Sequence, residues 1–337
     1  MRDLATLPKA HLHLHFTGSM RVGTLVEMAD DQGIRLPDGL TDSVALQVPA
    51  DKRGWFRFQR AYDAARKVVR SEGAMRRIVR EAAEDDAAEG SRRLEIQIDP
   101  TSYAPFVGGI TPALEIVLDE AAIASREVGI EVGVIVAASR MKSPLDARTL
   151  ARLAAQHAGR DPGKVVAFGL SNDERSGETA GWERAFAIAR RAGLEAVPHG
   201  GELLGPSHIM QVIQYLQPTR LGHGVRSAEH PALLGEIVRR GIALEICPTS
   251  NVQLGVYPDP VCVPLRALFD AGAQIALGAD DPLLFLSRLN AQYQVARDQG
   301  FSDAEVAELA RQSIRASFAS DESKQRWIAQ VDAWLSS

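Results

Sequence analysis

Cysteine is nearly absent: Cys247 and Cys262 are the only two in 337 residues. That excludes a disulfide framework and fits a reducing, cytoplasmic setting. There is no surplus of positive charge either. A net charge of -5 at pH 7 leaves no basic surface for nucleic acid and no polybasic anchor for a membrane. Long apolar runs are missing too, since the most apolar stretch, "IEVGVIVAA", falls far short of the ~20 residues that cross a bilayer. The first residues show no basic stretch leading into an apolar core, so no signal peptide is expected. No repeat or low-complexity linker interrupts the chain. What remains is a globular protein, 45% hydrophobic and 24% charged, whose length suits one barrel domain over residues 1–337.

The chain alternates short β-branched runs with amphipathic segments. The runs are "HLHLHF" (11–16), "RLEIQID" (93–99), "EVGVIVAA" (131–138), "KVVAFGLS" (164–171), "EAVPHGG" (195–201), "RLGHG" (220–224), "IALEICP" (242–248) and "QIALGADD" (274–281). Helical patterns lie between them. In "TPALEIVLDEAAIASREVG", Thr111 reads as the N-cap, Pro112 as the first helical residue and Gly129 as the stop. Its Leu114, Val117, Leu118 and Ala121 form one apolar stripe. Gly241 and Gly272 end two later helices in the same way.

Eight strands, each followed by helix, is the count of a (β/α)8 TIM barrel. An open doubly wound sheet shares the alternation. The barrel is favoured because chemically capable side chains sit at the C-terminal ends of at least five runs: His13 and His15, Asn172 to Glu174, His199 and Glu202, His223, and Asp280 and Asp281. Closed barrels gather their active sites at that face from several strands. Residues 17–90 are long for one connection and read as extra helices forming a lid after the first strand.

The first strand raises its own question, because His11, His13 and His15 alternate. Regular alternation would turn all three to one face. Residues i and i+4 of a strand stand ~13 Å apart, whereas Zn–N bonds are about 2.0–2.1 Å. Three histidines so spaced cannot share one ion, but a neighbouring pair can. The chain leaves the strand at Thr17-Gly18, so the pair nearest the mouth is His13 and His15. His11 is left as a barrel-interior histidine bonded to its neighbours. His199 and His223 also end strands, while His157, His208 and His230 fall in or near helical patterns. Asp280 adds an oxygen donor, with the alternative that Asp280-Asp281 caps a helix before Pro282. Imidazoles and a carboxylate, with a position left for water, suit a catalytic zinc or similar ion. Cys247 reads as a small buried apolar residue.

Five stretches carry a family resemblance: "PKAHLHLHFTGS", "HGGE" (199–202), "RLGHG" (220–224), "EICPTSN" (245–251) and "ALGADDPLLF" (276–285). In this order, along nearly the whole chain, they resemble the adenosine deaminase family of the amidohydrolase superfamily. The resemblance implies a zinc-dependent barrel that hydrolyses the exocyclic amine of 6-aminopurines; with no strand lysine evident to serve as a bridging carbamate, one Zn2+ per chain is expected. The resemblance implies His13, His15, His199 and Asp280 as zinc ligands and Glu202 as the acid that protonates purine N1. His223, assisted by Asp280, is implied as the group that orients and deprotonates the attacking water, and Asp281 as the contact to N7. The H-x-E and P-C-x-x-C motifs of the other zinc deaminases are absent.

Two departures bear on the substrate. The family usually carries Asp, a ligand of the ribose 5′-hydroxyl, where this chain has Thr17. Its "AGDE" appears here as "SNDE", with Asn172 replacing the glycine whose amide meets purine N3. Losing the carboxylate admits nucleosides without a 5′-hydroxyl, such as 6-aminodeoxyfutalosine, and Phe58 in the lid segment "GWFRFQRAYDAAR" is placed to face such a group. Phe56, Tyr62 and an arginine at 57 or 60 are further candidates from that segment. The expected partners are a purine nucleoside and water, with a homo-oligomer left open. Adenine deaminase, acting on the free base, is the alternative, and a metal site kept for binding alone is opposed by the presence of both Glu202 and His223.

Overall fold

The computed structural model describes residues 1–41 and 44–336. Eight parallel strands follow in chain order: β1 (Lys9–His15), β2 (Ser91–Ile98), β3 (Glu131–Ser139), β4 (Val165–Ser171), β5 (Glu195–Gly200), β6 (Arg220–His223), β7 (Ala243–Ile246) and β8 (Ile275–Leu277). Each pairs with the next. The ring closes where Leu14 bridges to Asp280: Asp280 N–H donates to His13 O and His15 N–H donates to Asp280 O, both at 3.0 Å. This is a (β/α)8 barrel.

β1 is not a regular strand. His11 stands opposite Leu94 and Leu14 opposite Ile96, so three steps on β1 match two on β2. One extra residue in a strand reverses the facing of the residues beyond it. His11 therefore shares the outward face of Leu94, while His13 and His15 turn into the barrel. The expectation of a barrel-interior His11 is corrected here. Its Nδ1–H reaches Asp86 at 2.9 Å, on a helix outside the barrel, and its Nε2 accepts the Ala279 N–H at 3.0 Å. The imidazole fills the gap that the bulge opens in the β1–β8 ladder.

The long connection after β1 holds three helices: α1 (Val22–Asp31), α2 (Lys52–Arg66) and α3 (Glu72–Ala88). Asp51 caps α2 by accepting Gly54 N–H, and Ser71 caps α3 by accepting Ala74 N–H. α3 packs beside the helix Ile110–Val128, its Arg80 paired with Glu120 at 2.7 Å. That helix begins at a Gly109 N-cap, not at Thr111, because its first turn starts at Ile110. Its stripe of Leu114, Val117, Leu118 and Ala121 is buried as expected, each Leu or Val contributing about 1.5–3 kcal/mol. Gly129 and Gly241 close their helices in the left-handed conformation. His230 lies outside the helical run, as the N-cap accepting Leu233 N–H.

Inside the barrel, side chains are charged where branched apolar ones are usual. Arg93 pairs with Glu95 at 3.0 Å, Glu95 with Arg220 at 2.7 Å, and Arg220 with Glu245 at 2.6 Å. All four are buried, and the Arg220 guanidinium lies 3.9 Å from the ring centre of Phe318. The ladder ends at His13.

Candidate active site

His13 and His15 end β1, His199 lies near the end of β5, and Asp280 follows β8. Their donor atoms meet. His15 Nε2 is 3.2 Å from His199 Nε2 and 3.2 Å from Asp280 Oδ1, and His13 Nε2 is 3.6 Å from the same oxygen. Tetrahedral ligands at zinc bond lengths stand ~3.3 Å apart, so the spacing fits one ion. The electrostatics fit as well. Burial pulls the His13 pKa down, but Asp280 and Glu245 hold it up to about 10. Burial and the neighbouring histidines push His199 well below its usual range. The cluster thus calls for positive charge at one point, and His13 Nε2 has no hydrogen-bond partner among the described residues. A divalent ion satisfies both demands.

Supporting groups fix the donors. Glu245 accepts from His13 Nδ1–H at 2.7 Å, which leaves the Nε2 lone pair facing the cluster. The Ser250 hydroxyl donates to Asp280 Oδ2 at 2.6 Å. At Gly222 a Cβ would stand 3.0 Å from His199 Nδ1 and 3.2 Å from the His13 ring, so only glycine leaves both rings their room. The Cys247 thiol is pushed up by burial and stays protonated, as a small buried residue should.

Beside the cluster lie two groups suited to proton transfer. His223 Nε2 is 3.6 Å from Glu202 Oε1 and 4.0 Å from Asp280 Oδ2. Burial, then the charge of His13, lowers His223 to about 3, so it is neutral, with one ring nitrogen free to accept a proton. Burial, then the charges of Asp280 and Glu174, raises Glu202 well above its usual value, which favours its protonated form. Asp281 is raised by burial and by Asp280, and its Oδ1 has no hydrogen-bond partner among the described residues. A Cβ on Gly18 would fall 1.7 Å from that oxygen, so glycine is required there. Asn172, His223 and Asp280 have φ of 78°, 65° and 63°, a left-handed backbone rare outside glycine that gathers at functional sites. Asn tolerates it better than most, which accounts for Asn172 in a glycine's place.

The family model described as adenosine deaminase matches residues 8–334. The chain belongs to the adenosine deaminase family. A Streptomyces virginiae protein named putative adenosine/adenine deaminase is 59% identical over 336 residues, covering 99% of this chain and 98% of that one. The adenine deaminase of Agrobacterium fabrum is 33% identical over 327 residues, covering 96% and 98%. Among solved structures, the adenine deaminase of Arthrobacter aurescens matches with a TM-score of 0.88 at 27% identity, over 98% of this chain and 100% of that one. Arabidopsis ADAL complexed with IMP matches at 0.85 and 26%, over 98% and 97%. The protein is a hydrolytic deaminase of the adenosine/adenine type.

In this deaminase one cavity runs from Glu202, His223, Asp280 and Asp281 past Asn172 to Arg66 and Lys142. Its wall is α2. Trp55, Phe58, Gln59, Tyr62, Asp63 and Arg66 line it, at the i, i+3, i+4, i+7 spacing of one helix face. Phe58 stacks on Phe285 with centroids 5.7 Å apart and planes at 7°. Of the lid expected over 17–90, the wall is this one helix. Phe56 points outward, 62% exposed, and Arg57 and Arg60 line a groove on the far side of α2, so the cavity's cations are Arg66 and Lys142 instead.

Thr17 does not stand at the mouth. It is fully buried, and its hydroxyl lies 2.5 Å from that of Tyr103, which itself lines the cavity. In the sequence Glu174 is visible only as one of several polar residues ending β4, Glu245 and Ser250 only as members of the stretch 245–251, and Tyr103 not at all; none of them has a role there. An acid inside the apolar run "IALEICP" is the one feature that could have exposed Glu245.

Proposed function

We propose a zinc-dependent deaminase of 6-aminopurine nucleosides that prefers a 5′ substituent to a free 5′-hydroxyl, with 6-aminodeoxyfutalosine among its substrates. The supporting observation is the single cavity: beyond the space a purine needs beside Glu202 and Asp281, it continues along the aromatic face of α2 to Arg66 and Lys142. Position 17 offers no carboxylate to hold a 5′-hydroxyl. His13, His15, His199 and Asp280 are the groups to hold the ion. Bound there, a divalent ion supplies Lewis acidity that brings the pKa of water from 15.7 to about 7.

The rest is done by side chains. Glu202 gives its proton to purine N1, which makes C6 electrophilic. Neutral His223 takes a proton from the attacking water. Asp281, protonated, donates to N7. The proton taken by His223 passes to the amine, the C6–N bond breaks and ammonia leaves, and the C6 hydroxyl gives its proton back to Glu202, leaving the 6-oxo purine.

Ammonia release from adenosine, adenine and 6-aminodeoxyfutalosine, with metal analysis of the protein, tests this reading. The expected order puts the 5′-extended nucleoside first by kcat/KM and finds one zinc per chain. Rapid release from adenine with little from either nucleoside favours free-base deamination, the activity named for the Agrobacterium relative.

A further inference from the structure

We propose that Glu174 is a positioning residue for Glu202: its carboxylate clamps the loop that presents the proton donor to the purine. The inference rests on the proposed role of Glu202. Glu174 follows β4 and Glu202 follows β5. Glu174 Oε1 accepts Glu202 N–H at 3.0 Å, and its Oε2 accepts Leu203 N–H at 2.9 Å and Leu204 N–H at 2.7 Å. Glu174 is 2% exposed and Glu202 3%.

The loop needs this anchor. The chain leaves β5 through Gly201, at φ 81°, and the next helix begins at Pro206. Residues 202–204 therefore lie outside any ladder, and buried N–H groups must find acceptors. Three successive peptide N–H groups turned onto one carboxylate form an anion nest, here filled from the neighbouring strand end. The clamp bonds the backbone of Glu202 itself, so the position of its carboxyl, 3.6 Å from His223, depends on Glu174. No other carboxylate reaches these three N–H groups among the described residues.

A double-mutant cycle on the metal-loaded enzyme tests this, using the fastest of the three purines and the variants Glu174→Gln, Glu202→Gln and both together. Gln at 174 keeps the shape but turns an NH2 toward backbone N–H groups. Alone it should lower kcat about 10–100-fold, the scale of a misplaced catalytic group, at unchanged metal content. With Glu202 already Gln, the same change should cost less than about twofold, because groups acting through one another are not additive. Amide exchange of residues 202–204 should quicken in Glu174→Gln. An equal loss of kcat in both backgrounds, or unchanged exchange, overturns the clamp. Near-normal kcat in Glu202→Gln alone overturns the role of Glu202 instead. If Glu174→Gln fails to fold, Glu174→Asp retains the charge but is too short for all three contacts, and the same cycle applies to it.

Discussion

His11 and His13 are two residues apart and do different work. A single extra residue in β1 separates them, sending one imidazole to α3 and the other into the barrel. The consequence is measurable. His11→Ala orphans the Ala279 N–H and the buried Asp86 carboxylate, and should destabilise the fold by roughly 1–3 kcal/mol in urea unfolding while metal content stays at wild-type stoichiometry. His13→Ala should release the metal. Loss of metal on His11→Ala would show that His11 belongs to the site after all. Glu202 is separable in the same way: Glu202→Gln should keep the metal yet lose about 10²–10⁴-fold in kcat.

α2 is unlike the rest of the chain. Residues 51–70 carry seven cations against two acids in a protein of net charge -5. Its inward face offers aromatic rings to the cavity, while Arg57, Arg60 and Lys67 line the groove behind it. A positive field at a cavity mouth raises the encounter rate of anions and is screened over ~8–10 Å by salt. The kcat/KM for a nucleoside bearing a carboxylate on its 5′ substituent should therefore fall as salt is raised, while that for adenosine stays flat. Arg57→Glu with Arg60→Glu should remove the salt dependence. Parallel salt curves for both substrates would end the idea that this helix recruits an anion.

Across the whole barrel, Arg93, Glu95, Arg220, Glu245 and His13 form one buried chain of charges. Breaking such a chain is expensive because the remaining partner is left unpaired. Arg220→Met should cost about 3–5 kcal/mol by leaving Glu95 and Glu245 without their shared cation. It should also weaken metal retention against a chelator, since Glu245 is freed from one of its two anchors. Unfolding midpoints with and without chelator check both effects. A variant as stable as the wild type would mean that the ladder carries no weight.

Most of this architecture could be read from the chain alone. Strand and helix periods reflect local burial, so eight runs and their terminal glycines were visible without neighbours; His13, His15, His199, His223 and Asp280 could be placed because each lies at a strand end, and Glu202 because it stands three residues beyond His199 in a stretch that carries the family resemblance. What the sequence could not decide depends on partners far along the chain. The facing of His11 turns on a register shift against β2, and the burial of Thr17 turns on Tyr103, 86 positions away. The cavity's cations proved to be Arg66 and Lys142, because the rotation of α2 about its axis is set by the wall it packs on. Glu174 stands out only as one polar residue at a strand end, and Glu245 only as an acid inside an apolar run. Their work appears only when closure of the barrel brings separate strand ends within hydrogen-bond reach.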